Sequence, residues 1–338
     1  MTGWLQLTDE QRRTALEQAA VRSGILREAI EKDWWVTLVL KALFELPYAG
    51  HFIFKGGTSL SKGWQLIQRI SEDIDIALAP EAFGEKYMLR PSHSYVKKLK
   101  KEGFTFTTTE IRNVLEAQLS SYGLKSAQIE IAAAPMPEGR PDTDPQTIFV
   151  NYHSLYPRHS YIENQIRIEF SVRSQREPFE AISVQSLLWR YFPNEAYNES
   201  SFTVRAASPR KTFLEKVFLL HEKFTLPVNE NIGVERQSRH LYDLVKMAEA
   251  GIIEDVLNDK ELYNALVAHR RYWIRFKGIN YDKLQPATLS FVPPEALMER
   301  FREDYQVMLD ALIYQSFYDF ETLILHLREL NDRFNKMS

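Results

Sequence analysis

The 338-residue sequence contains no cysteine, which excludes disulfide bonds and metal sites built from thiolates. It also lacks a long apolar run, because the most hydrophobic helical candidate, residues 34–46, contains Lys41 and is shorter than the roughly 20 residues that span a bilayer. The first residues, MTGWLQLTDEQRR, lack the charged-then-apolar order of a signal peptide. We therefore expect a cytoplasmic protein without a membrane partner.

A strong net charge is absent as well. The 42 basic and 45 acidic residues give a formal net charge of −3, so no overall field attracts the chain to nucleic acid. Basic residues cluster locally instead, at Lys97, Lys98, Lys100 and Lys101 and at Arg270, Arg271 and Arg275. The first cluster is more typical of a solvated helix face. The second, in HRRYWIRFK, is equally typical of a nucleic-acid contact and of an amphipathic helix.

A glycine-rich turn follows a short apolar strand in the segment FIFKGGTSL. Gly56 and Gly57 permit a tight turn and a close approach of the backbone to a ligand. Thr58 or Ser59 is expected to cap a helix that continues through Ile67. The amide groups and hydroxyls at such a helix start predict a phosphate-binding site. A Walker phosphate loop is excluded, since its Gly-Lys-[Ser/Thr] ending is missing.

Two aspartates follow this turn in the alternating pattern SEDIDIAL, which predicts a strand. Residues two apart on a strand point to the same face, so Asp73 and Asp75 are expected to project together. Paired carboxylates repel each other unless a cation lies between them, and their oxygens suit Mg²⁺ or Mn²⁺. A phosphate site next to a metal-binding pair is what nucleotidyl transfer requires. Each motif alone is more typical of an ordinary turn or a solvated strand face.

A later strand, residues 165–172, places Glu169 in the middle of its polar face. We interpret Glu169 as a third carboxylate of the same site. The equally supported alternative is a strand glutamate paired with Arg167 or Arg173. From Ser208 onward the pattern is helical, and after Pro294 it predicts a long helical end over residues 295–335. We therefore predict two domains, residues 1–205 and 206–338.

The ordered segments FKGGTSLSKGW, RISEDIDIAL, LEKVFLLHE and RHLYDLVKM resemble the AbiEii family. These proteins are toxins of bacterial type IV toxin–antitoxin and phage abortive-infection systems, within the DNA polymerase β-like nucleotidyltransferase superfamily. The resemblance spans nearly the whole chain. It implies an α+β fold, in which a small mixed sheet backed by helices precedes a helical C-terminal domain.

The family pattern also implies roles for matching residues. Gly57, Thr58 and Ser59 fall on the phosphate motif, and Asp73 and Asp75 fall on the metal pair. Lys216 falls on a motif lysine that meets the triphosphate. Asp243 falls on a motif aspartate that either positions this lysine or acts as a general base. The alternative for Lys216 and Asp243 is an internal ion pair without chemistry.

The implied reaction transfers a nucleotidyl group from a nucleoside triphosphate to RNA, particularly the 3′ end of tRNA, and the implied partner is an antitoxin. Two alternatives remain. One is transfer to a protein hydroxyl, and the other is an inactive module that binds RNA or the antitoxin. A metal hydrolase built on His221 and His240 is disfavoured, because the close His-Asp spacing of such sites is absent and either histidine is more often a structural hydrogen-bonding group.

Overall fold

The computed structural model describes residues 1–136, 143–157, 162–225, 233–315 and 318–336 of the chain. The strands in this part are β1 (Phe52–Lys55), β2 (Ile74–Leu78), β3 (Ile129–Ala133), β4 (Gln146–Tyr152), β5 (Gln165–Ser171), β6 (Phe179–Val184) and β7 (Phe202–Ala207). The α-helices are α1 (Thr2–Leu5), α2 (Asp9–Ser23), α3 (Arg27–Phe44), α4 (Gly56–Thr58), α5 (His93–Phe106), α6 (Arg112–Ser121), α7 (Leu187–Tyr191), α8 (Pro209–Thr225), α9 (Ser238–Glu249), α10 (Ile252–Asn258), α11 (Lys260–His269), α12 (Glu295–Ala311) and α13 (Phe320–Asn335).

These strands form one mixed sheet in the order β3-β4-β5-β2-β1-β7-β6. In its centre, β2 runs parallel to β5 and antiparallel to β1, and β1 runs parallel to β7. Ile53, Ile76 and Ile168 on these central strands are fully buried, which explains their apolar alternation. The predicted strands that became β1, β2 and β5 are confirmed. Strands β6 and β7, which follow β1 at one side of the sheet, were not predicted.

The chain divides into two compact units. The first, called here the sheet unit, comprises Met1–Trp64, Ile70–Met88 and His93–Ala207. The second, called the helical unit, comprises Gln65–Arg69, Leu89–Ser92 and Ser208–Ser338. The second unit therefore takes two short segments from the first half of the sequence, which a single boundary after residue 205 does not anticipate.

The helical unit contains α8 to α13, and the mixed sheet followed by these helices confirms the α+β class. The long helical end predicted over residues 295–335 is confirmed, and it consists of two helices, since α12 ends at Ala311 and α13 begins at Phe320. The Asp319 side chain starts α13 by accepting a hydrogen bond of 2.7 Å from the Thr322 amide. Among the residues described, no helix is both long enough and apolar enough to cross a membrane.

Candidate functional site

Three acidic residues lie on, or directly before, neighbouring strands at the centre of the sheet. Asp75 lies on β2, in register with Lys55 of the antiparallel neighbour β1 and with Glu169 of the parallel neighbour β5. Asp73 comes directly before the first residue of β2, and Ile74 between the two aspartates is fully buried. Because side chains alternate along a strand, burial of Ile74 leaves both aspartates on the other face. The predicted pairing of Asp73 with Asp75 therefore has a structural basis, and Glu169 adjoins it.

The ionisation of Glu169 reflects this arrangement. Burial raises the pKa of Glu169 to about 7, with the negative charges of Asp75 and Asp73 adding to the effect and Lys55 opposing it. Arg167 also opposes it, but its Nη1 lies 3.9 Å from Glu169 Oε1 and both side chains are partly exposed. The alternative pairing with Arg167 thus exists, yet it is too weak to cancel the repulsion from the aspartates.

The arrangement suits an oxygen-binding cation that the substrate helps to hold. In the described part of the chain, no three acidic or histidine side chains are arranged as a complete metal-binding group. Mg²⁺ in phosphate-transferring proteins usually takes one or two carboxylates and fills its other positions with water and substrate phosphate oxygens. Asp73 and Asp75 fit that smaller requirement, and the raised pKa of Glu169 indicates local negative charge that a cation would offset.

Gly56 lies where the end of β1 meets the Asp73–Asp75 pair, and the backbone there requires glycine. Its φ angle is +76°, in the left-handed region that glycine adopts without strain. A Cβ atom added at this position would lie 2.1 Å from Asp75 Oδ2. The Gly56 backbone therefore lies so close to the Asp75 carboxylate that a residue with a Cβ atom would collide with it. The turn and Asp75 are packed directly against each other.

The two hydroxyl residues after the glycines have structural partners. Thr58 is fully buried, and its Oγ1 donates to the backbone carbonyl of Asp73 and lies 2.8 Å from Ser71 Oγ. Ser59 Oγ donates a 2.9 Å hydrogen bond to the Gly56 carbonyl. The two hydroxyls thus fasten the turn to the start of β2, and their predicted contact with phosphate stays a prediction.

The predicted helix cap is wrong. Lys55 is the N-cap residue of α4, and no side chain caps that single turn. The chain continues as a π-helical turn, Ser59–Gly63, and leaves the helix at Trp64, well before Ile67. The hydroxyls expected to cap the helix are already engaged inside the turn. This competition between local partners is typical of serine and threonine.

Buried charges on α3 support the turn. Asp33 Oδ1 lies 2.5 Å from Lys62 Nζ in the π-helical turn, and Asp33 Oδ2 accepts a 2.7 Å hydrogen bond from the Leu187 amide. Lys32 Nζ lies 2.9 Å from Glu72 Oε2, next to Asp73 in the sequence. Sequence reasoning assigned no role to these residues. The signal was the charged triplet EKD inside an otherwise apolar helix.

A second cluster of buried charges lies in the helical unit. Arg69 Nε and Nη2 lie 2.7 and 2.8 Å from the two oxygens of Asp243, and Lys216 Nζ lies 3.0 Å from Asp243 Oδ2. The same Lys216 Nζ is 3.2 Å from His240 Nδ1. The predicted ion pair of Lys216 and Asp243 is therefore present, and Arg69 joins it without having been predicted.

The charges of this cluster decide what Asp243 can do. Burial alone would raise the pKa of Asp243, but Arg69 and Lys216 outweigh burial and hold that pKa well below its usual range. A carboxylate held so firmly in its ionised form is a poor general base. Burial, followed by the positive charges of Lys216 and Arg239, lowers the pKa of His240 and keeps its imidazole neutral. The other candidate histidine, His221, accepts a 3.0 Å hydrogen bond from the Ser290 amide at Nδ1.

The basic cluster at the end of α11 is only partly available to a ligand. Arg270 is bonded to Glu222, with Nε 2.7 Å from Oε1, and Arg271 Nη2 lies 2.6 Å from Asp282 Oδ1. Trp273 is buried. The exposed basic and aromatic residues here are Arg271, Arg275, Phe276 and Lys277.

Arg90 and Tyr272 extend this exposed surface. Arg90 is exposed, and its guanidinium lies 5.7 Å from the centre of the partly exposed Tyr272 ring. Arg90, Tyr272, Phe276 and Lys277 are called the basic–aromatic patch below. In the sheet unit, by contrast, Lys98 on α5 is paired with Glu85 at 2.5 Å.

Comparison with known families gives one finding that matches this geometry. The family model described as "Nucleotidyl transferase AbiEii toxin, Type IV TA system" matches residues 38–324. The matched range begins within α3 and ends within α13, so it includes the glycine turn, all three carboxylates and the cluster around Asp243. No curated protein matches the chain.

Proposed function

The chain belongs to the AbiEii family, the nucleotidyltransferase toxins of type IV toxin–antitoxin systems, and on this premise we propose that it transfers a nucleotidyl group from a nucleoside triphosphate to RNA. The proposed acceptor is the 3′ end of tRNA. In this reaction an acceptor hydroxyl attacks the α-phosphorus and forms a new P–O bond, and its proton is released to water. The bond between the α-phosphorus and the bridging oxygen to the β-phosphate breaks, and pyrophosphate leaves with its electrons. Family membership also implies a nucleotide substrate and an antitoxin partner.

The observation that best supports this proposal is the placement of Asp73 and Asp75 beside Glu169, with Gly56 packed against Asp75. Asp73 and Asp75 are the residues that would hold Mg²⁺ or Mn²⁺, which when bound neutralises charge on the triphosphate. Glu169 is proposed as the third carboxylate, and a cation would favour its ionised form. The open backbone at Gly56 and Gly57 is proposed to admit the triphosphate, together with Thr58 and Ser59.

Lys216 and Asp243 are proposed to act in the helical unit. Lys216 supplies a positive charge for the triphosphate, and Asp243 positions it through the 3.0 Å ion pair. The depressed pKa of Asp243 favours this positioning role over that of a general base.

The basic–aromatic patch favours RNA over a protein hydroxyl as the acceptor. Arginine and lysine neutralise the phosphate backbone, and aromatic rings stack on unpaired bases, as at the single-stranded end of tRNA. Phe276 is 49% exposed, so its ring is accessible for stacking on an unpaired base. An inactive binding module is disfavoured, because the chain retains both the Asp73–Asp75 pair and the motif lysine, Lys216.

The test is incubation of the purified protein with each α-labelled nucleoside triphosphate, Mg²⁺ and total RNA. We expect label in RNA of tRNA size, at its 3′ end, and loss of labelling when the metal is chelated. Label in protein would favour the hydroxyl of a protein acceptor. No label from any of the four triphosphates would support the inactive module.

A further inference from the structure

The buried cluster of the helical unit assigns a role to Arg69, the first residue of the segment RISEDIDIAL, for which the sequence motifs implied no role. We propose that Arg69 is a positioning residue, which fixes the Asp243 carboxylate so that Lys216 keeps its place for the triphosphate. This inference rests on the proposed function of Lys216.

The geometry distinguishes Arg69 from an ordinary ion-pair partner. Its guanidinium binds both oxygens of Asp243, at 2.7 and 2.8 Å, so the plane of the carboxylate cannot rotate. Asp243 is fully buried and Arg69 is 2% exposed, so water does not replace either contact. Oδ2 of the same carboxylate lies 3.0 Å from Lys216 Nζ. The position of the Lys216 ammonium is therefore set by an oxygen that Arg69 holds still.

The charge balance gives Arg69 a second effect. Alone, Lys216 and Asp243 would form a neutral pair, with the carboxylate free to turn both oxygens toward the ammonium. With Arg69, two cations share one carboxylate, and the charge of Arg239 also acts on Lys216. The positive charges of Arg69, Lys216 and Arg239 outnumber the single negative charge of Asp243. This excess of positive charge favours an anionic ligand at Lys216.

His240 completes the arrangement and provides a way to observe it. A lysine ammonium only donates hydrogen bonds, so the 3.2 Å contact requires His240 Nδ1 to accept, with the imidazole proton on Nε2. Movement of Lys216 must therefore change the environment of Nδ1. Arg69 also lies only four residues before Asp73 in the sequence, in the segment RISEDID, so it belongs to the chain segment that leads into β2.

The experiment compares Arg69→Lys and Arg69→Gln with a matched control, Arg270→Lys. The control removes an equally planar contact, between Arg270 and Glu222 in the same unit, without touching Asp243. Histidine labelled with ¹⁵N reports the Nδ1 signal of His240, assigned by its loss in His240→Asn. Triphosphate affinity is measured separately by titration with a fluorescent nucleotide analogue and Mg²⁺.

Both Arg69 variants are expected to shift the His240 Nδ1 signal and to weaken triphosphate binding about tenfold, the effect of losing one charge-assisted contact. The KM for the triphosphate should rise by the same factor, while Arg270→Lys alters only thermal stability. If folded Arg69 variants behave like the Arg270 control in the Nδ1 signal and in binding, the proposal is overturned. If the wild-type protein transfers no nucleotide, the proposed function fails, but the Nδ1 signal still decides whether Arg69 positions Lys216.

Discussion

Asp75 on β2 and Glu169 on β5 stand side by side in parallel register. The two residues are 94 positions apart in the sequence, as their numbers show, and only the pairing of β2 with β5 brings them together. Burial, together with the charges of Asp75 and Asp73, raises the pKa of Glu169 to about 7. The carboxylates of Asp73, Asp75 and Glu169 therefore repel one another when ionised, and a bound cation would reduce this repulsion.

The first prediction concerns the aspartate pair. Asp73→Asn and Asp75→Asn should each reduce nucleotidyl transfer at least about 100-fold, since a metal ligand is lost. Thermal stability should stay unchanged or increase, because a repelling charge is removed. Transfer assays and thermal unfolding measure the two effects. Glu130→Gln, on the exposed side of β3, is the control and should change neither. Near-normal transfer in either asparagine variant would disprove the metal assignment.

The second prediction concerns the glycine turn. Gly56→Ala should abolish transfer and Mg²⁺-dependent stabilisation, because its Cβ would occupy the position of Asp75 Oδ2. Gly24 has nearly the same φ angle, +73° against +76°, with nothing within 4 Å of an added Cβ. Gly24→Ala should therefore cost about 1–2 kcal/mol of stability for its left-handed backbone and leave activity intact. Equal activity of Gly56→Ala and Gly24→Ala would show that the glycine turn is not part of the site.

The third prediction uses the pKa of Glu169. Between pH 4.5 and about 7 the folded protein keeps a proton on Glu169 that the unfolded chain has released. The free energy of unfolding should therefore fall as pH rises through this window, by up to about 3 kcal/mol, when no metal is present. Added Mg²⁺ should stabilise the protein increasingly as pH rises through 7, because the metal favours the ionised carboxylate. Denaturant titrations at several pH values measure both trends.

The control for this effect is Glu169→Gln, which keeps the size of the side chain and removes its charge. The variant should lose this part of the pH dependence. A wild-type profile that matches the profile of Glu169→Gln would show that Glu169 does not titrate in this range.

The fourth prediction tests the acceptor surface. Arg90→Gln combined with Lys277→Gln should raise the KM for RNA and lower the salt dependence of RNA binding by roughly 0.7 per lost charge, the value for single strands. Phe276→Ala should weaken binding without altering the salt dependence, because it removes stacking only. Triphosphate affinity should not change. Lys97→Gln combined with Lys101→Gln, on α5, is the matched control.

If only the α5 variants affect RNA binding, the RNA-binding surface lies on the sheet unit instead. Indifference to both pairs of substitutions, with weak salt dependence, would favour a protein acceptor. Neither outcome would affect the proposed transfer of a nucleotidyl group.

The sequence by itself determined the local features of this protein. Alternation predicted β1, β2 and β5, and the order of the glycine turn and the Asp73–Asp75 pair indicated the chemistry, because these signals depend on residues a few positions apart. Its ordered motifs also identified the family that the comparison confirms. Local signals misled at Thr58 and Ser59, whose hydroxyls bond within the turn or to the start of β2 instead of capping a helix.

Only the tertiary structure decided which distant residues meet. Glu169 adjoins Asp75 because β5 pairs with β2, and Arg69 reaches Asp243 although 174 positions separate them. Asp33 binds Lys62 beneath the glycine turn in the same way. A single charged residue in a sequence does not specify its partner. Burial makes an unpaired charge costly, and the packing of the folded chain determines which opposite charge is within reach.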